Sequence, residues 1–281
     1  MPLHPAVAAT GAALGSFFTC LGRTISQAAV SAHGSVDPDA RRDLAWMPVV
    51  ALASIGPWRP PPEPLPDDGH RPVIFVHGLA GYRGNFLPMR TWLRLNGRKR
   101  TYAIGLDGGT IPEMAAELQA YIRQVLEVNE LPSSAQVDVV AHSMGGVVSR
   151  LALQDRRTAR RVHTLITLGS PHGGTFAARF AGGPVTTELR RDSAVMRRLA
   201  RDRPWRKPTR LVCFWSSSDP LMQPAETATV PGADNREVDG FSHLDWLMRQ
   251  RAWRAVQDAL AEAHRTPPRR TVWLLPSPAG R

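Results

Sequence analysis

The chain has 281 residues, 43% of them hydrophobic and 21% charged, with two cysteines, 23 glycines and 25 prolines. That length holds one large or two small domains with a sizeable core and no need for disulfides or a structural metal, and the balance excludes collagen-like, coiled-coil and wholly disordered chains. Lys+Arg total 35 against 24 Asp+Glu, a formal charge of +11 that by itself points to nucleic acid, an anionic membrane or acidic substrates; but the basic residues are almost all arginines, they are dispersed, and no nucleic-acid-binding motif accompanies them, so no nucleic-acid partner is expected.

Residues 1–56 read as an N-terminal helical extension. Pro5 to Gly22 carries no charge, yet Met1 to His4 supplies no basic n-region, and the Ala/Gly-rich run is weakly apolar for a membrane span of about 20 residues. The expectation is a helix packed on the domain or on a membrane surface, with an anchor or a cleaved signal as alternatives. A cytoplasmic or membrane-associated protein follows, with secretion left open. Cys20 and Cys213 are far apart and no Cys/His cluster has ligand spacing, so neither a disulfide nor a zinc site is expected. Residues 57–71, with the run PWRPPPEPLPDDGHR, carry too much proline for helix or central strand and read as an extended linker.

From Pro72 onward, apolar runs of strand length alternate with segments of helical period. The fold class is therefore α/β, a mostly parallel sheet of about six strands flanked by helices, over residues 72–265. The first strand, Pro72 to Val76, runs into His77, Gly78 and Leu79, where a glycine permits close approach of the backbone to a substrate. A second strand spans Thr101 to Leu106. Thr110 and Glu113 then form a capping box, followed by the stripe Met114, Leu118, Ile122 and Val125 of an amphipathic helix. The third strand, Val137 to Ala141, leads into HSMGGVV, so that Ser143 stands on a sharp strand-to-helix bend. Such a strained bend needs small neighbours; Gly145 provides one at plus two, and Ala141 stands at minus two where glycine is commoner.

Val162 to Leu168 is the fourth strand. The segment 176–203 after it is too long for a simple loop and places Leu189, Val195, Met196 and Leu199 among arginines. It reads as a helical insert over the mouth of a site, with an apolar face toward an acyl groove and arginines toward anionic lipid, or alternatively as a helix packed beside the core. The fifth strand, Arg210 to Trp215, ends shortly before Asp219, and a short sixth strand near Asn235 to Val238 precedes His243. A long last helix is expected from about Leu244 to Ala263, and residues 266–281 form a basic, proline-rich tail.

A serine hydroxyl is a weak nucleophile until a base takes its proton and a third group orients that base. A nucleophile on this kind of bend is completed by an acid after a later strand and by a histidine last, which selects Ser143, Asp219 and His243 as the catalytic set. Glu226, Asp234 and Asp239 are less clearly tied to strand ends. His264 lies near the end of the last helix, while His142, His163 and His172 read as structural or loop residues. The backbone N–H groups of Leu79 and Met144 are the expected oxyanion hole, with His77, Gly78, Phe176 and Leu221 as candidate substrate contacts. No cofactor is required.

Taken together, VHGLAG, AHSMGG, LGSPHGGT and SHLDW resemble the blocks of the α/β-hydrolase fold, and within it of bacterial triacylglycerol lipases, including the small lidless kind. FVHG with AHSMGG is also similar to inositol deacylases that remodel lipid anchors. The resemblance covers roughly Pro72 to Ala263 and implies a serine carboxylester hydrolase acting on lipid or other acyl esters, with a phospholipid or glycolipid deacylase or an acyltransferase as alternatives. A non-catalytic hydrolase-like binding protein is disfavoured by the complete triad. The resemblance further implies that the first two strands of the full fold are absent. Larger bacterial lipases bind calcium through an aspartate at the place of Asp245, which makes that residue a calcium candidate, although a hard cation wants several oxygen ligands and a second carboxylate is not identifiable.

Overall fold

Six short runs, Val73–Val76, Thr101–Ile104, Val137–His142, Val162–Leu168, Arg210–Trp215 and Asp234–Glu237, form strands β1 to β6 of one sheet in the order β2-β1-β3-β4-β5-β6. Every pairing is parallel. The structure is a computed structural model that describes residues 42–43, 45–46, 48–50, 60–79, 81–179, 182–202 and 208–265. The expectations for Pro5 to Gly22, for Cys20 and for the tail from residue 266 lie outside the described residues.

Parallel strands require crossovers, and crossover helices cover both faces of the sheet, so the strands carry continuous apolar runs. The two-residue side-chain period then divides each run between two cores. Ile74, Val76, Val139, Ala141, Leu165 and Cys213 enter one, and Val73, Phe75, Val140, Ile166, Leu168, Val212 and Phe214 the other. The first core is closed by helices α2 (Ile111–Val128) and α3 (Met144–Ala152); the second by α1 (Leu87–Leu95) and the C-terminal helical region. At the start of α2 the Thr110 hydroxyl accepts from the Glu113 N–H at 3.3 Å, and Met114, Leu118, Ile122 and Val125 form its buried stripe. Strand β2 ends at Ile104, two residues earlier than read from the sequence, because the Leu106 N–H is taken by His77 Nε2 at 3.0 Å.

Downstream of α3 come α4 (Arg156–Arg161), then α5 (Pro184–Glu188) and α6 (Ala194–Ala200) in the insert. Leu189, Val195, Met196 and Leu199 are buried in the first core with Leu151 and Leu211. These four apolar positions of the insert pack into the core. The expected single last helix is two, α7 (Asp245–Met248) and α8 (Gln250–Arg265), because Arg249 adopts an extended conformation. The break is stabilised by Trp253, whose Nε1–H donates to the Leu247 carbonyl at 2.8 Å, and α8 is fastened to α1 by a 3.0 Å bond from Trp92 Nε1–H to Gln257 Oε1.

The two sheet edges are finished differently. Along β6, Arg210 and Arg236 share Asp234 and Glu262 at 2.6–3.1 Å. Along β2, residues 60–68 form neither helix nor strand and are tied down by bonds from Tyr102 Oη–H to the Glu63 carbonyl (3.1 Å), from Arg100 Nε–H to the Leu65 carbonyl (3.2 Å) and from the Leu65 N–H to Asn129 Oδ1 (3.2 Å).

Candidate active site

The C-terminal ends of β1, β3, β4 and β5 converge on Ser143. Its φ of 55° and ψ of −127° are a conformation that only a well-determined surrounding maintains. The bend is held by bonds from the Ser143 N–H to the Leu168 carbonyl and from the Gly146 N–H to the Ser143 carbonyl, both 3.0 Å. A side chain at residue 145 would run into the Val76 carbonyl oxygen and lie 2.6 Å from that of His77, and one at residue 78 would stand 2.8 Å from Ser143 Cβ. These two glycines let the nucleophile bend and the β1 loop come together.

Ser143 Oγ lies 3.0 Å from His243 Nε2, and His243 Nδ1 lies 3.0 and 3.1 Å from the two Asp219 oxygens. The structure therefore brings the three residues into one chain of hydrogen bonds. Asp219 is buried and also accepts from the Leu221 N–H at 3.1 Å and from Trp246 Nε1–H at 3.3 Å. Gly169, with φ of 50°, makes this possible: a Cβ there would lie 2.7 Å from Asp219 Oδ2 and 2.6 Å from Trp246 Nε1. Burial disfavours a charged His243, but the adjacent Asp219 charge and hydrogen bond, with a further contribution from Asp43, outweigh it and hold the imidazole pKa above its ordinary value. His142, by contrast, is kept neutral by burial and by the neighbouring His243. Its ring lies 4.6 Å from that of His243, and its Nε2–H donates to the His243 carbonyl at 3.0 Å.

His77 lines the cavity at Ser143, and its ring is fixed by the main chain. Burial pushes its pKa down to about 4, so the ring is neutral. Nε2 accepts from the Leu106 N–H, which leaves the proton on Nδ1 to donate to the Gly78 carbonyl at 2.9 Å. The same carbonyl accepts from the Gly81 N–H at 3.0 Å. In a trans peptide the carbonyl of Gly78 and the N–H of Leu79 point in opposite directions, so anchoring one aims the other. Met144 is the first residue of α3, where backbone N–H groups have no partner within the helix.

Ser143, His243, Gly78 and Leu79 line a cavity of about 20 Å³ together with Val50 and Leu247, room for about one water-sized group. Phe176 and Leu221 do not line it. Phe176 lies on the surface between Arg179 and Arg191, whose guanidinium carbons are 5.3 and 5.0 Å from its ring centre. Leu221 serves Asp219 through its amide. A larger cavity of about 330 Å³ between Pro60 and Tyr121 has Glu117 and Tyr121 in its lining but no serine, cysteine or histidine. Asp245 accepts from Trp46 Nε1–H and from the Ser242 N–H, both at 3.1 Å, and faces Arg42 and Arg249 at 3.5 and 3.6 Å. Two cations beside it leave no place for a third, and among the described residues no group of three or more His, Cys, Asp or Glu side chains could hold a metal.

Reasoning from sequence missed Asp43 and Trp46. They lie upstream of the proline-rich stretch yet reach the histidine loop some 200 residues later. No motif marks either position.

This chain has the α/β-hydrolase fold. The same architecture is found in lipase BlEst2 of Bacillus licheniformis, in its mature form (TM-score 0.56, 19% identity, 71% of this chain and 95% of that one) and in its propeptide form (0.60, 20%, 70% and 52%). Lipase B of Aspergillus fumigatus also shares it (0.56, 18%, 69% and 52%). More particularly, residues 99–180 match the PGAP1-like alpha/beta domain. Similar curated proteins include GPI inositol-deacylase B of Yarrowia lipolytica, 33% identical over 139 residues, and a GPI inositol-deacylase of Cryptococcus neoformans, 43% identical over 130. These matches take in 40% and 37% of this chain but span 14% and 17% of the relatives' length. The domain match includes Ser143 and Met144 and excludes Leu79, Asp219 and His243.

Proposed function

We propose that this protein is a serine carboxylester hydrolase acting on lipid or other acyl esters. The observation that carries the reading is the unbroken line Ser143 Oγ, His243 Nε2, His243 Nδ1, Asp219 at about 3 Å spacings, beneath a loop whose Gly78 has no room for a side chain beside the serine. Ser143 Oγ attacks the ester carbonyl carbon while His243 Nε2 takes the hydroxyl proton. Asp219 keeps the histidine in the Nδ1–H tautomer and stabilises the imidazolium. The negative charge gathering on the carbonyl oxygen is met by the Leu79 and Met144 N–H groups, where loss of one such donor typically costs about 100- to 1,000-fold in turnover. His243 returns its proton to the departing alcohol, leaving an acyl group on Ser143. A water, deprotonated by His243, then releases the acid and restores the serine.

The similarity of residues 99–180 to inositol-deacylase domains favours, as a narrower second reading, the acyl ester of a phospholipid or glycolipid. Exposed Phe176 with Arg179 and Arg191 beside it is a surface suited to peripheral contact with anionic lipid. The test of the main reading is a fluorophosphonate probe, expected to label the wild type and not Ser143→Ala; a folded wild type that stays unlabelled refutes it. A panel of p-nitrophenyl esters, emulsified triglyceride and phospholipid then assigns the substrate class, and product analysis with a competing alcohol separates hydrolysis from acyl transfer.

A further inference from the structure

The loop that carries His243 is held from outside the α/β domain. Asp43, fully buried, accepts from the His243 N–H through Oδ2 at 3.1 Å and from the Leu244 N–H through Oδ1 at 2.7 Å. The His243 carbonyl accepts from His142, so both main-chain polar groups of the histidine are fixed by buried side chains. The flanking residues are gripped by the same upstream segment: Arg42 Nη2–H donates to the Gly240 carbonyl at 3.0 Å, and Trp46 donates to Asp245. Val50, a turn further on, forms part of the wall of the cavity at Ser143.

We propose that Asp43 is a positioning residue of the catalytic centre, which fixes the main chain of His243 and adds a second negative charge, after that of Asp219, to the field at its imidazole. The inference rests on the Ser143–His243 reading above. A buried carboxylate is costly, and two adjacent amides explain part of its presence, since a carboxylate offers both of its oxygens as acceptors where Asn offers one. The second part is electrostatic. Burial pushes the Asp43 pKa up to about 6, against the opposing pull of His243 and of the Leu244 N–H, and with Asp219 adding like-charge repulsion. The other groups around the histidine leave that field to the two aspartates: His142 and His77 are neutral through burial, and Asp245 is paired with Arg42 and Arg249. Asp43 touches no reacting atom. It acts through the histidine, by favouring the imidazolium that appears when Ser143 gives up its proton.

The experiment is an NMR pH titration of the His243 ring in the full-length wild type and in Asp43→Asn, alongside pH profiles of kcat and KM. In Asp43→Asn the imidazole should titrate at lower pH, the acid limb of kcat/KM should move the same way, and kcat should fall by about 10- to 100-fold with KM nearly unchanged. Asp43→Glu, which retains the charge, should keep the acid limb closer to that of the wild type. A natively folded Asp43→Asn whose His243 titration and profile superimpose on the wild type overturns the proposal. If Asp43→Asn does not fold, the wild type still decides: ionisation of Asp43 near pH 6 must appear as a second inflection in the His243 shifts, and a single-site curve refutes the coupling. A wild type that shows the coupling but resists the fluorophosphonate probe refutes the hydrolase reading and leaves the Asp43–His243 linkage standing.

Discussion

Substituting Gly146 sets two effects of opposite sign against each other. The residue lies inside α3, where alanine is favoured over glycine by about 1 kcal/mol. A Cβ at this position, however, would run into Ser170 Oγ, lie 2.6 Å from Ser170 Cβ and 3.0 Å from Thr167 Cγ2. Thr167 on β4 and Ser170 in the loop just after it are both fully buried, so neither can swing into solvent. Overpacking of this kind costs about 1–3 kcal/mol, more than the helix gains, and Gly146→Ala should lower stability by about 1–2 kcal/mol. For a domain of this size that is a fall of roughly 2–8 °C in the midpoint of thermal unfolding, measurable also by urea titration. The double variant Gly146→Ala/Ser170→Gly removes the nearest obstacle and should recover most of the loss, a coupling of about 1 kcal/mol or more. Among the described residues the Ser170 hydroxyl has no hydrogen-bond partner, so its removal breaks no bond there. If Gly146→Ala is neutral or stabilising, or if the two substitutions are additive, α3 does not meet the β4 loop as described.

Because the Asp219 interaction holds the His243 pKa above its ordinary value, and a general base must be neutral, kcat/KM should rise with pH along a limb centred above 6.5; a limb below that value contradicts the arrangement. Trp246→Phe removes a donor to a buried carboxylate and some volume from a closed core. It should cost about 2–4 kcal/mol by urea unfolding and reduce kcat, and an unchanged midpoint would show that Asp219 does not depend on it. Burial pushes the Cys213 thiol up to about 12, so in a Cys20→Ser background iodoacetamide at pH 8 should label the protein only after unfolding; rapid labelling of the native state would contradict its burial.

The parts of the site that lie at strand ends could be read from the sequence, since apolar runs locate the strands and each of Ser143, Asp219 and His243 follows one. The expected β3, β4 and β5 agree with the strands formed to within a residue. What could not be read depends on partners distant in sequence. The Arg249 break is settled by Trp253 and by the packing of α8 on α1, neither of which leaves a Pro or Gly to mark it. The apolar positions of the insert have the same period whether they face a groove or the core; Leu189 and Leu199 face the core. Phe176, a candidate substrate contact, is exposed at the surface beside Arg179 and Arg191. Asp43 is a single aspartate in an unremarkable segment, and its role emerges from a contact across 200 residues.

Among the described residues the sheet has six strands, and both of its borders discourage a seventh. A parallel edge leaves N–H and C=O groups free to pair with any strand that drifts past. At β6 the half-buried Asp234 and Arg236 join Arg210 of β5 and Glu262 of α8 in one ion-pair cluster, which an incoming apolar strand would have to strip of its solvent and partners. At β2 the neighbouring segment includes Pro60, Pro61, Pro62, Pro64 and Pro66, residues without an N–H to extend a ladder. Among the described residues, both borders are therefore poor templates for a further strand.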